Sequence, residues 1–154
     1  MNSRELIIIA SGYNKAKAIE GSIENPVSHM CPGSVLQNHP KVERVSYPSV
    51  ADGFKKERAD NYLNGGCGGL MGFEIKGGLE SGKKFIESLE MFYHVANIGD
   101  SKSLAIHPAS TTHSQLNEEE LLSGGVSPGY IRLSIGIEHI DDILEDLGNA
   151  LDNS

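Results

Sequence analysis

Two hydrophobic periods take turns along this chain, one near two residues and one near 3.6. Residues 6–10, Leu-Ile-Ile-Ile-Ala, are a continuous apolar run closed by Ser11 and Gly12, which predicts a buried strand. Residues 14–24 predict a short helix: Ala16, Ile19 and Ile23 share a face, Asn14 suits the cap, and Asn25-Pro26 ends it. Residues 31–38 predict another short helix with Pro32 in its first turn. Residues 41–47 present Val42, Val45 and Tyr47 as a half-buried strand closed by Pro48. Residues 54–63 predict a helix with a basic outer face. After a Gly65-Gly66 turn, residues 67–75 predict a strand weakened by Gly68, Gly69 and Gly72.

The second half is more regular. Residues 79–95 predict a helix with Phe85, Ile86, Leu89, Phe92 and Tyr93 on one stripe and Lys83, Lys84, Glu87 and Glu90 outside it. Residues 103–107 predict a strand stopped by Pro108, and residues 117–123 an acidic helix stopped by Gly124-Gly125. Residues 131–137 alternate, with Ile131, Leu133, Ile135 and Ile137 on one face and Arg132 and Ser134 on the other. Residues 140–151 predict the last helix, with Ile140, Ile143, Leu144, Leu147 and Leu151 inward and Asp141 and Asp142 in a first turn that favours acids. From Lys41 onward the order is β-α-β-α-β-α-β-α, which predicts a two-layer α/β sandwich with helices on one side of a sheet.

Composition narrows the class. A chain of 154 residues fits one domain, and 38% apolar residues without Trp imply a modest aliphatic core. No run approaches the roughly 18–20 apolar residues of a membrane span, and the five-residue run beside Glu5 is too short for a signal peptide. The expectation is a cytoplasmic protein that does not engage a membrane. Cys31 and Cys67 read as free thiols rather than a disulfide or metal pair. The net charge is −8, and the last 41 residues alone hold nine acids against one base, Arg132. Such a surface repels a phosphate backbone, so no nucleic-acid partner is expected. The acidic cluster itself reads as solvated helix faces.

Candidate chemistry centres on Arg132, mid-strand on a polar face, whose fork suits bidentate capture of a carboxylate. On its own such a residue is a surface or ion-paired arginine. His107 and His113 lack a third ligand at metal spacing. There is no Gly-x-Ser-x-Gly elbow, and the glycines at 65–69 precede a strand rather than open a helix.

Five stretches carry a resemblance to a known family. They are Asn-His-Pro-Lys-Val-Glu-Arg-Val-Ser-Tyr-Pro from residue 38, Gly-Cys-Gly-Gly-Leu-Met-Gly-Phe-Glu-Ile-Lys-Gly-Gly from 66, Gly-Lys-Lys-Phe-Ile-Glu-Ser-Leu from 82, Asn-Ile-Gly-Asp-Ser-Lys-Ser-Leu-Ala-Ile-His-Pro-Ala-Ser-Thr-Thr-His-Ser from 97, and Ile-Arg-Leu-Ser-Ile-Gly-Ile-Glu-His-Ile-Asp-Asp-Ile from 131. In order and spacing, residues 39–151 resemble the C-terminal domain of the Cys/Met-metabolism PLP-dependent enzymes, the O-acetylhomoserine and O-acetylserine sulfhydrylases in particular. The resemblance implies a mainly antiparallel sheet with helices on one face. It also implies that Arg132 binds the substrate α-carboxylate with help from Ser103. The family's Schiff-base lysine, pyridinium acid and phosphate donors belong to a larger N-terminal domain. No Ser-x-Thr-Lys element occurs here, so no catalytic residue and no cofactor are assigned to the chain itself.

Residues 4–40 resemble a late segment of glucosamine-6-phosphate deaminase. The resemblance rests on Glu-Leu-Ile-Ile-Ile-Ala-Ser-Gly-Tyr-Asn-Lys-Ala-Lys-Ala-Ile from residue 5 and Pro-Val-Ser-His-Met-Cys-Pro-Gly-Ser-Val-Leu-Gln-Asn-His-Pro from 26. It implies that Lys15 contacts a sugar phosphate; without it, Lys15 is a solvated helix-start residue. The two resemblances meet at residues 37–41. Together they point to an engineered chimera: a grafted strand–helix segment at 1–40, a sulfhydrylase-like segment at 41–154, one domain, and no enzyme activity of its own. The alternative is a fragment or subunit of a PLP-dependent O-acetylhomoserine sulfhydrylase. Self-association through the surface that would face a PLP domain stays open.

Overall fold

The computed structural model describes residues 39–48, 51–63 and 68–154. The elements expected at 6–10, 14–24 and 31–38, and with them Lys15, Cys31 and Cys67, lie outside the described residues. The elements are β1 (Val42–Ser46), α1 (Gly53–Tyr62), β2 (Leu70–Ile75), α2 (Gly78–Ser88), β3 (Tyr93–His94), β4 (Leu104–Ile106), a short 3-10 turn (Pro108–Ser110), α3 (Glu118–Ser123), β5 (Tyr130–Ser134) and α4 (Ile140–Asn153). One sheet runs in the order β1-β2-β5-β4-β3. The β1–β2, β2–β5 and β4–β5 pairs are antiparallel, and the β3–β4 edge pair is parallel. Among the described residues no helix is long and apolar enough to cross a membrane.

Central β5 shows why these residues form these layers. Ile131 and Leu133 are buried on one face, level with Phe73 and Met71 of β2 and, at Leu133, Ala105 of β4. Phe85 and Ile86 of α2 and Ile143, Leu144, Leu147 and Leu151 of α4 complete that core. The Phe73 and Phe85 rings meet edge-on, 5.2 Å apart. Burying such apolar stripes is the main stabilising term for both layers.

Two expectations change. The helix expected over 79–95 stops at Ser88. The cause is Asp146, a carboxylate on the apolar stripe of α4. It accepts hydrogen bonds from three successive amides: Glu90 at 2.8 Å, Met91 at 3.1 Å and Phe92 at 3.4 Å. Continuing the helix would commit those N–H groups to carbonyls four residues back. The turn instead buries Phe92 and returns the chain as β3, which leaves Tyr93 half exposed. The strand expected over 131–137 ends at Ser134, and Ile137 is 70% exposed rather than inward. There Gly136 N–H donates to the Ser103 hydroxyl and Ile137 N–H to the Ser101 carbonyl, so the ladder is abandoned. The helix expected over 54–63 is present as α1, but it buries none of its residues. The acidic α3 begins in a capping box, with Asn117 and Glu120 each accepting from the other's amide.

His107 is fully buried behind β4. A carbonyl can only accept, so Nε2 carries the hydrogen and donates to Pro128 O at 2.7 Å, which leaves Nδ1 to accept from the Ser110 hydroxyl at 2.8 Å. Gly82 of α2 lies against the ring, and a Cβ there would collide with the imidazole.

Asp146→Ala strands three amides and is expected to lower the unfolding free energy by about 3 kcal/mol in urea titration, with Asp146→Asn losing less. Burial lowers the His107 pKa; the Pro128 carbonyl opposes this, and the Lys83 and His94 charges add to it. The unfolded chain therefore binds the extra proton more readily. This contribution to stability is present above the ordinary value of 6.5 and is lost as pH falls below it. Thermal melts across that range should show the slope, and His107→Gln should flatten it.

Candidate functional site

The polar face of β5 carries Tyr130, Arg132 and Ser134, set against Glu74, Gly72 and Leu70 of β2. Gly72 is required there, because a Cβ would collide with the Tyr130 phenol. Burial pushes the Tyr130 hydroxyl pKa up, against the opposing charge of Arg132. Leu104 and Ile106 of β4 share this face by register and are also buried, so it is closed to solvent on the β4 side.

A strap of chain, residues 95–103, crosses from β3 to β4 and is stapled to β5 and its continuation. Arg132 Nη2 donates to the carbonyls of Ala96 at 2.5 Å and Asn97 at 3.3 Å. Gly99 N–H donates to the Ser134 hydroxyl at 3.0 Å. Ile137 N–H reaches Ser101 O at 2.9 Å. Ser103 is wholly buried: its N–H donates to Glu138 Oε1 at 2.7 Å and its hydroxyl to Oε2 at 2.9 Å, while it accepts from Gly136 N–H. Residues 95–102 themselves are exposed, so the strap is held by its backbone. Gly136 has no room for a Cβ between the Glu138 carboxylate and the Ser101 carbonyl.

The strap organises the electrostatics of Arg132. Two backbone dipoles hold one arm of the guanidinium, while its Nε is buried without a hydrogen-bond partner among the described residues. A fixed cation with an unspent buried donor is suited to an incoming carboxylate. Ser103 does not hydrogen-bond Arg132; its hydroxyl is committed to Glu138 and Gly136. Burial works to raise the Glu138 pKa, and the hydrogen bonds from Ser103, with the Lys102 charge, outweigh it, so the group titrates below its ordinary value. Lys15 lies outside the described residues. Glu138 and Gly136 are the parts that sequence reasoning missed, and Ser134 was placed on the Arg132 face without a role. The available signal was an acid and a glycine directly after a strand that carries an arginine. Among the described residues no three His, Cys, Asp or Glu side chains form a metal site. No described lysine is buried, and Lys41, Lys76, Lys83 and Lys102 are committed to other partners.

The chain is similar to known proteins. Residues 29–152 match the model of the family described as Cys/Met metabolism PLP-dependent enzyme. An O-acetyl-L-homoserine sulfhydrylase of Leptospira meyeri is 57% identical over 119 residues, covering 77% of this chain and 27% of that protein. O-acetyl-L-homoserine sulfhydrylase 1 of Thermus thermophilus is 47% identical over 116 residues, covering 75% of this chain and 28% of that protein. An L-methionine gamma-lyase of Pseudomonas putida is 41% identical, covering 75% and 29%. A solved O-acetylhomoserine (thiol)-lyase of Campylobacter jejuni, which carries N'-pyridoxyl-lysine-5'-monophosphate, superposes with a TM-score of 0.69. It is 38% identical, covering 89% of this chain and 31% of its own. The chain thus spans less than a third of the length of these relatives.

These findings overturn the engineered-chimera reading. The family match runs unbroken through residues 37–41, the supposed splice, and claims residues 29–38 that had been given to a deaminase-like graft. The expectation of no enzyme activity of its own falls with it, because the matching relatives are enzymes. The misleading signal was a short local likeness in the sequence of residues 4–40.

Removing the staple at Glu138 should loosen the strap and leave the core. Glu138→Ala is expected to speed hydrogen exchange at the Ser103, Gly136 and Ile137 amides, with little change at Phe73 or Leu133. The accompanying stability loss should be about 1–3 kcal/mol. Uniform acceleration across the sheet would mean that the carboxylate serves the whole fold instead.

Proposed function

The chain belongs to the Cys/Met metabolism PLP-dependent enzyme family, and from that premise we propose that it is the C-terminal portion of a PLP-dependent O-acetylhomoserine sulfhydrylase, in which Arg132 receives the α-carboxylate of the amino-acid substrate. The observation that supports this most directly is the guanidinium itself, anchored by Ala96 and Asn97 with a buried Nε that is unpaired among the described residues.

PLP, when bound, supplies an electron sink next to the substrate α-carbon. The described residues do not by themselves fit that group: they offer no buried lysine for a Schiff base, so the parts that hold it belong to the remainder of the enzyme. What these residues do is bind and orient. Arg132 neutralises and aligns a carboxylate, and the strap keeps its fork from swinging to solvent. Ser103 acts at one remove, by tying the strap to Glu138.

Both O-acetyl-L-homoserine and L-methionine carry the α-carboxylate, so the Arg132 anchor is common ground for the relatives named above. In the complete enzyme with PLP, Arg132→Ala is expected to raise KM for O-acetyl-L-homoserine by about 30- to 1,000-fold, the loss of one partner from a desolvated charge pair. Arg132→Lys should fall between the two, since it keeps the charge and loses the fork. Steady-state formation of homocysteine from O-acetyl-L-homoserine and sulfide measures both. An unchanged KM in Arg132→Ala would remove the carboxylate assignment, and no homocysteine from the wild-type enzyme would remove the sulfhydrylase reading.

A further inference from the structure

We propose that the cleft between β1 and α1 is a binding site for an organic phosphate, separate from the Arg132 site. The cleft has a volume of about 620 Å³, inside the range of about 300–1,000 Å³ usual for small-molecule sites. None of its lining residues belongs to β5 or the strap.

Charge is the first argument. The cleft gathers Arg44, Lys55 and Arg58 against one acid, Asp52, in a chain whose net charge is −8. Arg44 shares one arm with Glu74 at 3.1 Å. Lys55 and Arg58 enter no ion pair among the described residues, unlike neighbouring Lys56, which pairs with Asp60. Lys55 is uncommitted among the described residues, Arg58 lies over the Phe54 ring at 5.5 Å from its centroid, and Arg44 is half committed; all three line the same space. That excess suits a dianion better than a single carboxylate, and arginine forks match phosphate oxygens.

The helix adds to this field. Asp52 stands at the N-cap of α1, yet its side chain accepts from none of the first-turn amides, and that turn holds no acid. Its donors and positive dipole end therefore remain available beside Lys55.

The walls argue for an organic body on the phosphate. Tyr47, Pro48, Tyr62 and Leu63 line the cleft with apolar surface, and Tyr62 is 77% exposed. A bare inorganic ion would leave that surface unused, whereas a compact aromatic ester would cover it.

Isothermal titration of the full 154-residue chain with phenyl phosphate, inorganic phosphate and benzoate tests this. Because α1 buries none of its residues, Lys55→Ala and Arg58→Ala are expected to fold, which circular dichroism verifies. Phenyl phosphate should bind about tenfold more tightly than inorganic phosphate or benzoate, and added salt should weaken it. Each cleft variant should weaken it about tenfold, and Arg132→Ala should leave it unchanged. Flat heats with phenyl phosphate overturn the proposal, as does binding that survives both cleft variants or is lost only in Arg132→Ala. Equal affinity for inorganic phosphate overturns its organic half.

Discussion

The arrangement around Arg132 depends on one buried carboxylate. Asp146 sits on the inward stripe of α4 and takes the amides of residues 90–92. That capture ends α2 at Ser88 and turns the chain back along the sheet as β3. From β3 the chain has only residues 95–103 in which to reach β4, and its path lies over the polar side of β5. The strap and its two carbonyls on Arg132 follow from where α2 is stopped. Three amides leaving water together need a strong acceptor, and a charged one meets that need better than any neutral side chain in reach.

Central β5 has two different surfaces. Toward the helices it is aliphatic and closely packed, which fixes its register against β2 and β4. Toward the strap it is polar: the Ser134 hydroxyl accepts from Gly99 N–H, and one arm of Arg132 donates to Ala96 and Asn97. The strap can keep exposed side chains because its backbone supplies the contacts. Close approach then falls to glycine. Gly72 yields to the Tyr130 ring, Gly136 to Glu138 and Ser101, and Gly82 to His107. Each is a place where two elements meet with no room for a methyl group.

Much of this was legible in the chain. The alternation at Ile131, Arg132 and Leu133, the stripe of α4 and the family motifs placed the sheet, the last helix and the candidate arginine. Periodicity overran at Ser88 because Leu89, Phe92 and Tyr93 continue a helical stripe, and a periodic pattern cannot register a carboxylate 54 to 56 residues away. It overran again at Ile135 and Ile137, which keep strand spacing after the ladder has ended. The chimera reading erred in a related way. It began the family segment at about residue 39 and gave the residues before it to a short local likeness, whereas the family match begins at residue 29.

By itself, then, the sequence determined which residues are apolar on which face, and so the class of fold, the family and the strand that carries Arg132. Those properties are local, because a side chain's place on a strand or helix follows from its spacing. Only the tertiary structure decided where α2 stops, how residues 95–103 cross the sheet, and that Ser103 is bound to Glu138 rather than to Arg132. Those outcomes depend on which distant donor meets which acceptor once water is excluded, and that competition is settled only when the layers have packed.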